Sequence, residues 1–398
     1  HPAALLETAG DDMIPIVLRW FSCGYGQRFS VGLWAITALF FVACAKTSVP
    51  PSIAEDIVDI TTGLHHTCAL TIGGRVKCWG NNQDGQLGDG TRINKRAPED
   101  VVGLMSKVKQ VSAGSRHTCA LTVAESVKCW GNNRDYQLGD GTNMDRVTPV
   151  DVVGLTSGMR AVAAGESHTC AVTITGNVTC WGDNHEGQLG NGTREGRNTP
   201  PVDVVGISGV SMITAGLRHT CALTTVGNVK CWGDNRDGQL GDGTAVGRTT
   251  PIDVIGLTNG VTAIAGGERH TCALIRGGVK CWGNNLDGQL GDGTIIERVT
   301  PVDIAELTNG VRAITAGASH NCALITGGSV KCWGNNNEGQ LGDATVVKKV
   351  TPVDAKLLMN TATAIAAGGQ HTCALSPDNM VQNLYCWGSN EYGQLGYR

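Results

Sequence analysis

Fourteen of the sixteen cysteines stand in seven pairs, and paired thiols have few chemical uses. They can oxidise to disulfides, ligate a soft metal as thiolates, or remain reduced and buried. The pairs are Cys68 and Cys78, Cys119 and Cys129, Cys170 and Cys180, Cys221 and Cys231, Cys272 and Cys281, Cys322 and Cys332, and Cys373 and Cys386. A His stands two residues ahead of each first cysteine: His66, His117, His168, His219, His270, His320 and His371. A Trp follows each second one: Trp79, Trp130, Trp181, Trp232, Trp282, Trp333 and Trp387. Zinc would want a CxxC knuckle, and none is present; the His of His-x-Cys is moreover read as lying across its strand from the Cys. No metal or cofactor is expected.

The elements that position these residues follow from the period. First cysteines recur at steps of 51, 51, 51, 51, 50 and 51 residues, and 41 residues always separate a second cysteine from the next first one. A fixed period near fifty marks a ring or solenoid of one repeated supersecondary unit. Each unit reads as short β-prone runs, such as AVAAG, HTCALT, VKCWG and PVDVVGL, separated by Gly, Asn and Asp clusters. Four short strands per unit and no helical periodicity predict an all-β, seven-bladed β-propeller of four-stranded blades.

The Cys-to-Cys segment reads as a hairpin. With Cys68 facing Cys78 the loop is Ile72-Gly73-Gly74, whose third position wants left-handed backbone and takes Gly without steric cost. Glu125 breaks that rule in the second unit; the fifth shortens to the two-residue loop Arg276-Gly277; the seventh is expected to grow a longer loop around SPDNMVQ. Cysteines opposed in this way come within disulfide reach, so seven intra-blade disulfides are predicted, with buried free thiols as the rival. Each bond would close a short loop and contribute about 2–3 kcal/mol.

Disulfides need an oxidising compartment. Met13 reads as the start of an export signal. After it come Arg19 and Arg28, then the uncharged run FSVGLWAITALFFVACA from Phe29 to Ala45. FVAC, ending at Cys44, resembles a bacterial lipobox with Phe41 in place of Leu, which would make Cys44 a lipidated first residue. A retained membrane anchor and a plainly cleaved signal are the alternatives. The expected organisation is an upstream and export segment over 1–44, a linker and possible closing strand over 45–56, and the propeller over 57–398. In that scheme VPPSIAED, residues 49–56, supplies the outer strand that the seventh unit lacks. The expected location is the bacterial periplasm or outer cell surface.

The seven copies of H-[TN]-C-A-[LV], CWG and QLG resemble the repeat of the regulator of chromosome condensation family, from about Ile57 to Arg398. The resemblance implies a seven-bladed propeller, and the two cysteines per repeat are similar to those of exported bacterial members. It implies several possible activities, because that fold hosts diverse functions. The founding member exchanges nucleotide on a small GTPase through an inserted wedge that these units lack. A plant member perceives UV-B through a GWRHT motif, where this chain has GLRHT with Leu217 in place of Trp. A secreted bacterial member inhibits β-lactamase through one propeller face.

Residues identical in every unit are read as structural: the CWG tryptophans as packing between blades and the repeat histidines as buried hydrogen-bonding groups. Function is expected where the units differ. The two residues ahead of each repeat His vary and ring one face, giving His65, Arg116, Glu166, Arg218, Arg269 and Gln370 as interface candidates. A second variable ring follows GDGT, with Lys95, Arg146, Arg197, Arg248, Arg298 and Lys349 expected to pair with the Asp of PVDV, such as Asp151 or Asp253. No catalytic residue is assigned. A net charge of −4 gives no footprint for nucleic acid. The expectation is a monomeric ring that binds a protein partner and is held at a membrane by its lipid or N-terminal anchor. The alternatives are a nucleotide exchange factor and an envelope enzyme acting on polysaccharide. A pair of unrepeated carboxylates lining the channel would favour the enzyme.

Overall fold

A computed structural model describes residues 57–358, 361–378 and 381–397. The export segment, Cys44 and the closing strand expected at 49–56 lie outside the described residues. No described helix is long and apolar enough to cross a membrane.

The chain folds into seven antiparallel sheets, one per repeat. In the first blade the strands run in chain order from the centre outward: Ile57–Thr62, His66–Thr71, Val76–Gly80 and Lys95–Asp100. The innermost strands of neighbouring blades line a central channel with a water-accessible volume of about 380 Å³. The seventh sheet has three strands, Ala364–Ala367, His371–Asp378 and Val381–Gly388. Its place for a fourth strand is what the expected closing segment would fill.

Why the second strand is buried on both faces follows from its period of two. In HTCALT of the first blade, Cys68 and Leu70 point to the following blade and pack with Val108, Ala120 and Trp130. The alternate face, carrying Thr67 and Ala69, meets the seventh blade, where Ala69 and Trp79 pack with Cys373 and Cys386. Hydrophobic clusters therefore form between blades, and the contact of blades one and seven closes the ring.

All seven cysteine pairs are disulfides, directly opposed in register with Cα atoms 4.1 Å apart. Gly74 and Gly176 adopt φ of 78° and 85° at the third loop position, and Glu125 takes the same left-handed backbone at 62°. The seventh hairpin differs from expectation. Its three extra residues lengthen both strands, with Ser376 opposite Asn383 and Asp378 opposite Val381, instead of enlarging the loop. An even extension of both strands keeps every backbone pair bonded, which a wider loop would not.

Candidate interaction face

Seven histidines latch each blade to the next. His66 Nε2 lies 2.9 Å from Thr118 Oγ1, His117 Nε2 2.8 Å from Thr169 Oγ1, and the series closes with His371 Nε2 2.9 Å from Thr67 Oγ1. Each Thr hydroxyl donates to a Gln carbonyl of the preceding blade, as Thr118 does to Gln86 at 2.9 Å. Its lone pair must then accept, so Nε2 carries the proton and Nδ1 is bare. Nδ1 has no partner in any of the seven. Trp130 Nε1–H donates to the same Gln86 carbonyl at 2.9 Å. Asn321 replaces Thr once and preserves the polarity: Oδ1 faces His270 Nε2 at 3.0 Å and Nδ2 donates to the Gln289 carbonyl at 2.6 Å.

Complete burial holds these rings neutral. Desolvation lowers His66, His117, His219, His320 and His371 to about 3, and His168 and His270 to about 4. One expectation needs correction here. His66 and Cys68 share a strand face, because residues two apart point the same way. What occupies them is the latch and the disulfide.

The latch also explains the Gly of the loop ahead of each His. A Cβ on Gly114 would sit 2.4 Å from the Gly165 carbonyl oxygen and 2.6 Å from His117 Cε1. Backbone bonds then run round the channel mouth from loop to loop, from Ser115 N to Gly165 O at 3.0 Å and from Gly369 N to Gly63 O at 3.1 Å.

Those loops sort the variable residues into two circles. Leu64, Ser115, Glu166, Leu217, Glu268, Ala318 and Gly369 line the mouth. Among the described residues, Glu166 and Glu268 are its only carboxylates. Burial raises both; the Arg218 guanidinium opposes the rise at Glu166, and the Glu166 charge adds to it at Glu268. The outer circle holds His65, Arg116, Arg218, Arg269 and Gln370. His65 is half-buried with its ring 4.9 Å from that of Tyr392, and Gln370 is exposed. Arg116 lies 3.8 Å from Asp84, Arg218 3.7 Å from Glu166, and Arg269 3.6 Å from Asp237. The structure thus brings all six candidates to the same end of the ring. Sequence reasoning missed the acids that reach the three arginines from a different loop, NNxDGQ: Asp84, Glu186 and Asp237 each stand at its fourth position.

The second ring pairs differently from expectation. Arg146, Arg248 and Arg298 bind Asp140, Asp242 and Asp292 of their own GDGT loops, and Lys95 and Lys349 lie 3.3 Å from Asp89 and Asp343. The side chain of Arg197 lies outside the described residues. Asp151 and Asp253 instead take Lys128 at 2.6 Å and Lys230 at 2.7 Å. The reason is length: Arg146 and Asp151 begin and end one strand, about 17 Å apart at 3.3–3.4 Å per residue.

The fold and its repeated seam define a disulfide-stapled propeller of one well-marked class. Residues 106–398 match the RCC1-like domain, and residues 57–86 and 73–121 match regulator of chromosome condensation (RCC1) repeats. The chain belongs to the RCC1-like family. It is 38% identical over 191 residues to the ultraviolet-B receptor UVR8 of Arabidopsis thaliana, covering 47% of this chain and 43% of that one. It is 32% identical over 232 residues to the human E3 ubiquitin-protein ligase HERC2, covering 57% of this chain and 5% of that one. The chain thus spans less than half the length of these relatives. Among solved structures it resembles human WBSCR16, with a TM-score of 0.71 and 24% identity over 84% of this chain and 87% of that one. It also resembles Prp20p of Saccharomyces cerevisiae, with a TM-score of 0.70 and 23% identity over 85% and 84%. These two likenesses carry the fold.

Proposed function

We propose that this chain is an exported, lipid-anchored propeller that binds a protein partner through the face carrying Arg116, Arg218 and Arg269. The carrying observation is the split between seam and face. Residues common to all units are buried between blades, while the differing ones stand together at one end of the ring. Fully buried disulfides support residence in an oxidising compartment. The first alternative is nucleotide exchange on a small GTPase; the loops between third and fourth strands hold 13 or 14 residues in each of the first six blades, which leaves no wedge of that kind among them.

Capture from an envelope extract tests the reading. The propeller is expected to retain a protein that the triple variant R116A/R218A/R269A loses; equal capture by both would rule this face out. An intact mass of the exported protein, alkylated before and after reduction, tests the compartment. Lipid on Cys44 and no free repeat thiol are expected, and an unlipidated chain with reactive repeat thiols would overturn export.

One observation favours a second reading. Glu166 and Glu268 form an unrepeated carboxylate pair at the channel mouth, the feature a polysaccharide-acting envelope enzyme would require. Glycan cleavage that is abolished by E166Q would establish it, and the absence of cleavage by the unaltered chain would end it.

A further inference from the structure

The two ends of the ring orient their ion pairs in opposite senses. At the loop face every described pair has its cation outward. Arg116, Arg236 and Arg269 are 57–64% exposed, while their partners Asp84, Glu186 and Asp237 are 9–13% exposed. At the other end the order reverses: Lys128, Lys230 and Lys331 are 20–28% exposed, and Asp151, Asp253 and Asp354 55–69%. A layer of pairs aligned in this way is a dipole layer, and a partner at its surface feels the outer charge most. The ion pairs of the loop face therefore hold out cations to a partner, although the chain as a whole carries −4 and Glu297, Glu338 and Glu391 are exposed among them.

The same face breaks its repeat a second time. The third residue of the NNxDGQ loop is polar or charged in the other blades, Gln83, Arg134, His185, Arg236, Asn337 and, in the seventh, Glu391, but it is Leu286 in the fifth. Two successive β-branched aliphatic residues follow GDGT or GDAT only in blades five and six, as Ile295-Ile296 and Val346-Val347, where blade four has Ala245-Val246. Leu286, Ile295, Ile296, Val346 and Val347 are 54–64% exposed. Lys348 Nζ donates to the Leu286 carbonyl at 3.0 Å, which draws the blade-six loop against the blade-five loop and gathers the aliphatic residues into one sector.

Resting on the proposed use of this face, we infer that its partner is an acidic protein segment bearing aliphatic side chains. Its apolar residues seat on Leu286, Ile296 and Val347, and its carboxylates meet Arg236, Arg269 and Lys348. Charge complementarity selects an anionic partner, and the aliphatic sector selects protein over nucleic acid, whose bases would call for exposed aromatic stacking platforms. Carboxylates reach these guanidiniums without displacing the buried acids, because an Arg has five N–H donors and each present partner uses few of them.

Fluorescence anisotropy on the intact chain tests the inference. The probe is a peptide alternating Glu with Leu and Ile; controls are a Lys-for-Glu peptide, a single-stranded oligonucleotide and anionic phosphatidylglycerol vesicles. Selective binding of the acidic peptide is expected. It should weaken at least tenfold in L286S/I296S/V347S and in R236A/R269A, with a flatter salt dependence only in the latter. These sites are exposed, and unchanged melting would exclude a folding defect. Equal binding of the basic peptide, preference for oligonucleotide or vesicle, or indifference to both variants would overturn it. If the natural partner is lost in R116A/R218A/R269A but binds L286S/I296S/V347S normally and independently of salt, the face reading stands and this inference fails.

Discussion

The seam between blades and the loop face sit a few residues apart in every repeat, yet they obey different rules. In the seam, His, Thr, Gln and Trp form a closed donor-acceptor circuit with no exposed atom, and each member depends on its neighbours' polarity. Asn321 is the one departure, and it keeps both bonds. On the face, Leu64, Ser115, Glu166 and Gly369 replace one another at a single position, because only backbone is constrained there. Invariance in the repeat thus marks what holds the ring, and variation marks what the ring presents.

The largest effect expected from breaking the seam is loss of its disulfides. At about 2–3 kcal/mol each, removing all seven exceeds the stability of an ordinary domain. Reduction after brief unfolding should prevent refolding, and far-UV circular dichroism would show it; recovery of the native spectrum with fourteen alkylated cysteines would contradict the staple.

Acid comes next. The latch histidines sit at about 3 to 4 in the folded ring, against about 6.5 in an unfolded chain. Below pH 6.5 the unfolded state therefore binds more protons, and stability falls by up to about 1.4 kcal/mol per pH unit for each His until the folded values are reached. The stabilisation is fully present above pH 6.5. Urea midpoints should drop steeply between pH 6 and pH 4, and a flat profile would mean that the rings are not held neutral.

A single latch sharpens the point. Thr118→Val strands the His117-type donor of the preceding blade, His66, and costs about 1–3 kcal/mol. Asn321→Thr should be near neutral, since both side chains can accept from the His and donate to the Gln carbonyl. Equal costs for the two would dissolve the circuit. The smallest effect belongs to the exposed pairs: Lys128→Ala should change stability by no more than about 1 kcal/mol.

Much of the seam was legible in the sequence because a period of 51 and a strand period of two fix neighbours by arithmetic. The cysteine register followed from hairpin loop length alone. That same arithmetic, wrongly applied, set His66 across the strand from Cys68. The ion-pair partners of Arg146 and its counterparts were not legible, since choosing between Asp140 and Asp151 needs the length of the strand between them. Nor was the outward sense of the pairs, which depends on burial and not on composition. The seventh hairpin illustrates the same limit: three inserted residues fit a longer loop or longer strands equally well until backbone pairing decides.

The division of labour is tested most directly by capture of the natural partner with two matched triple variants, melting curves being recorded for both. R116A/R218A/R269A removes cations from the loop face, and Lys128, Lys230 and Lys331→Ala removes as many from the opposite end. The account predicts that capture is lost only in the first, with thermal midpoints of both near that of the unaltered chain. Loss of capture in the second variant with retention in the first would place the binding surface at the wrong end of the ring and contradict it.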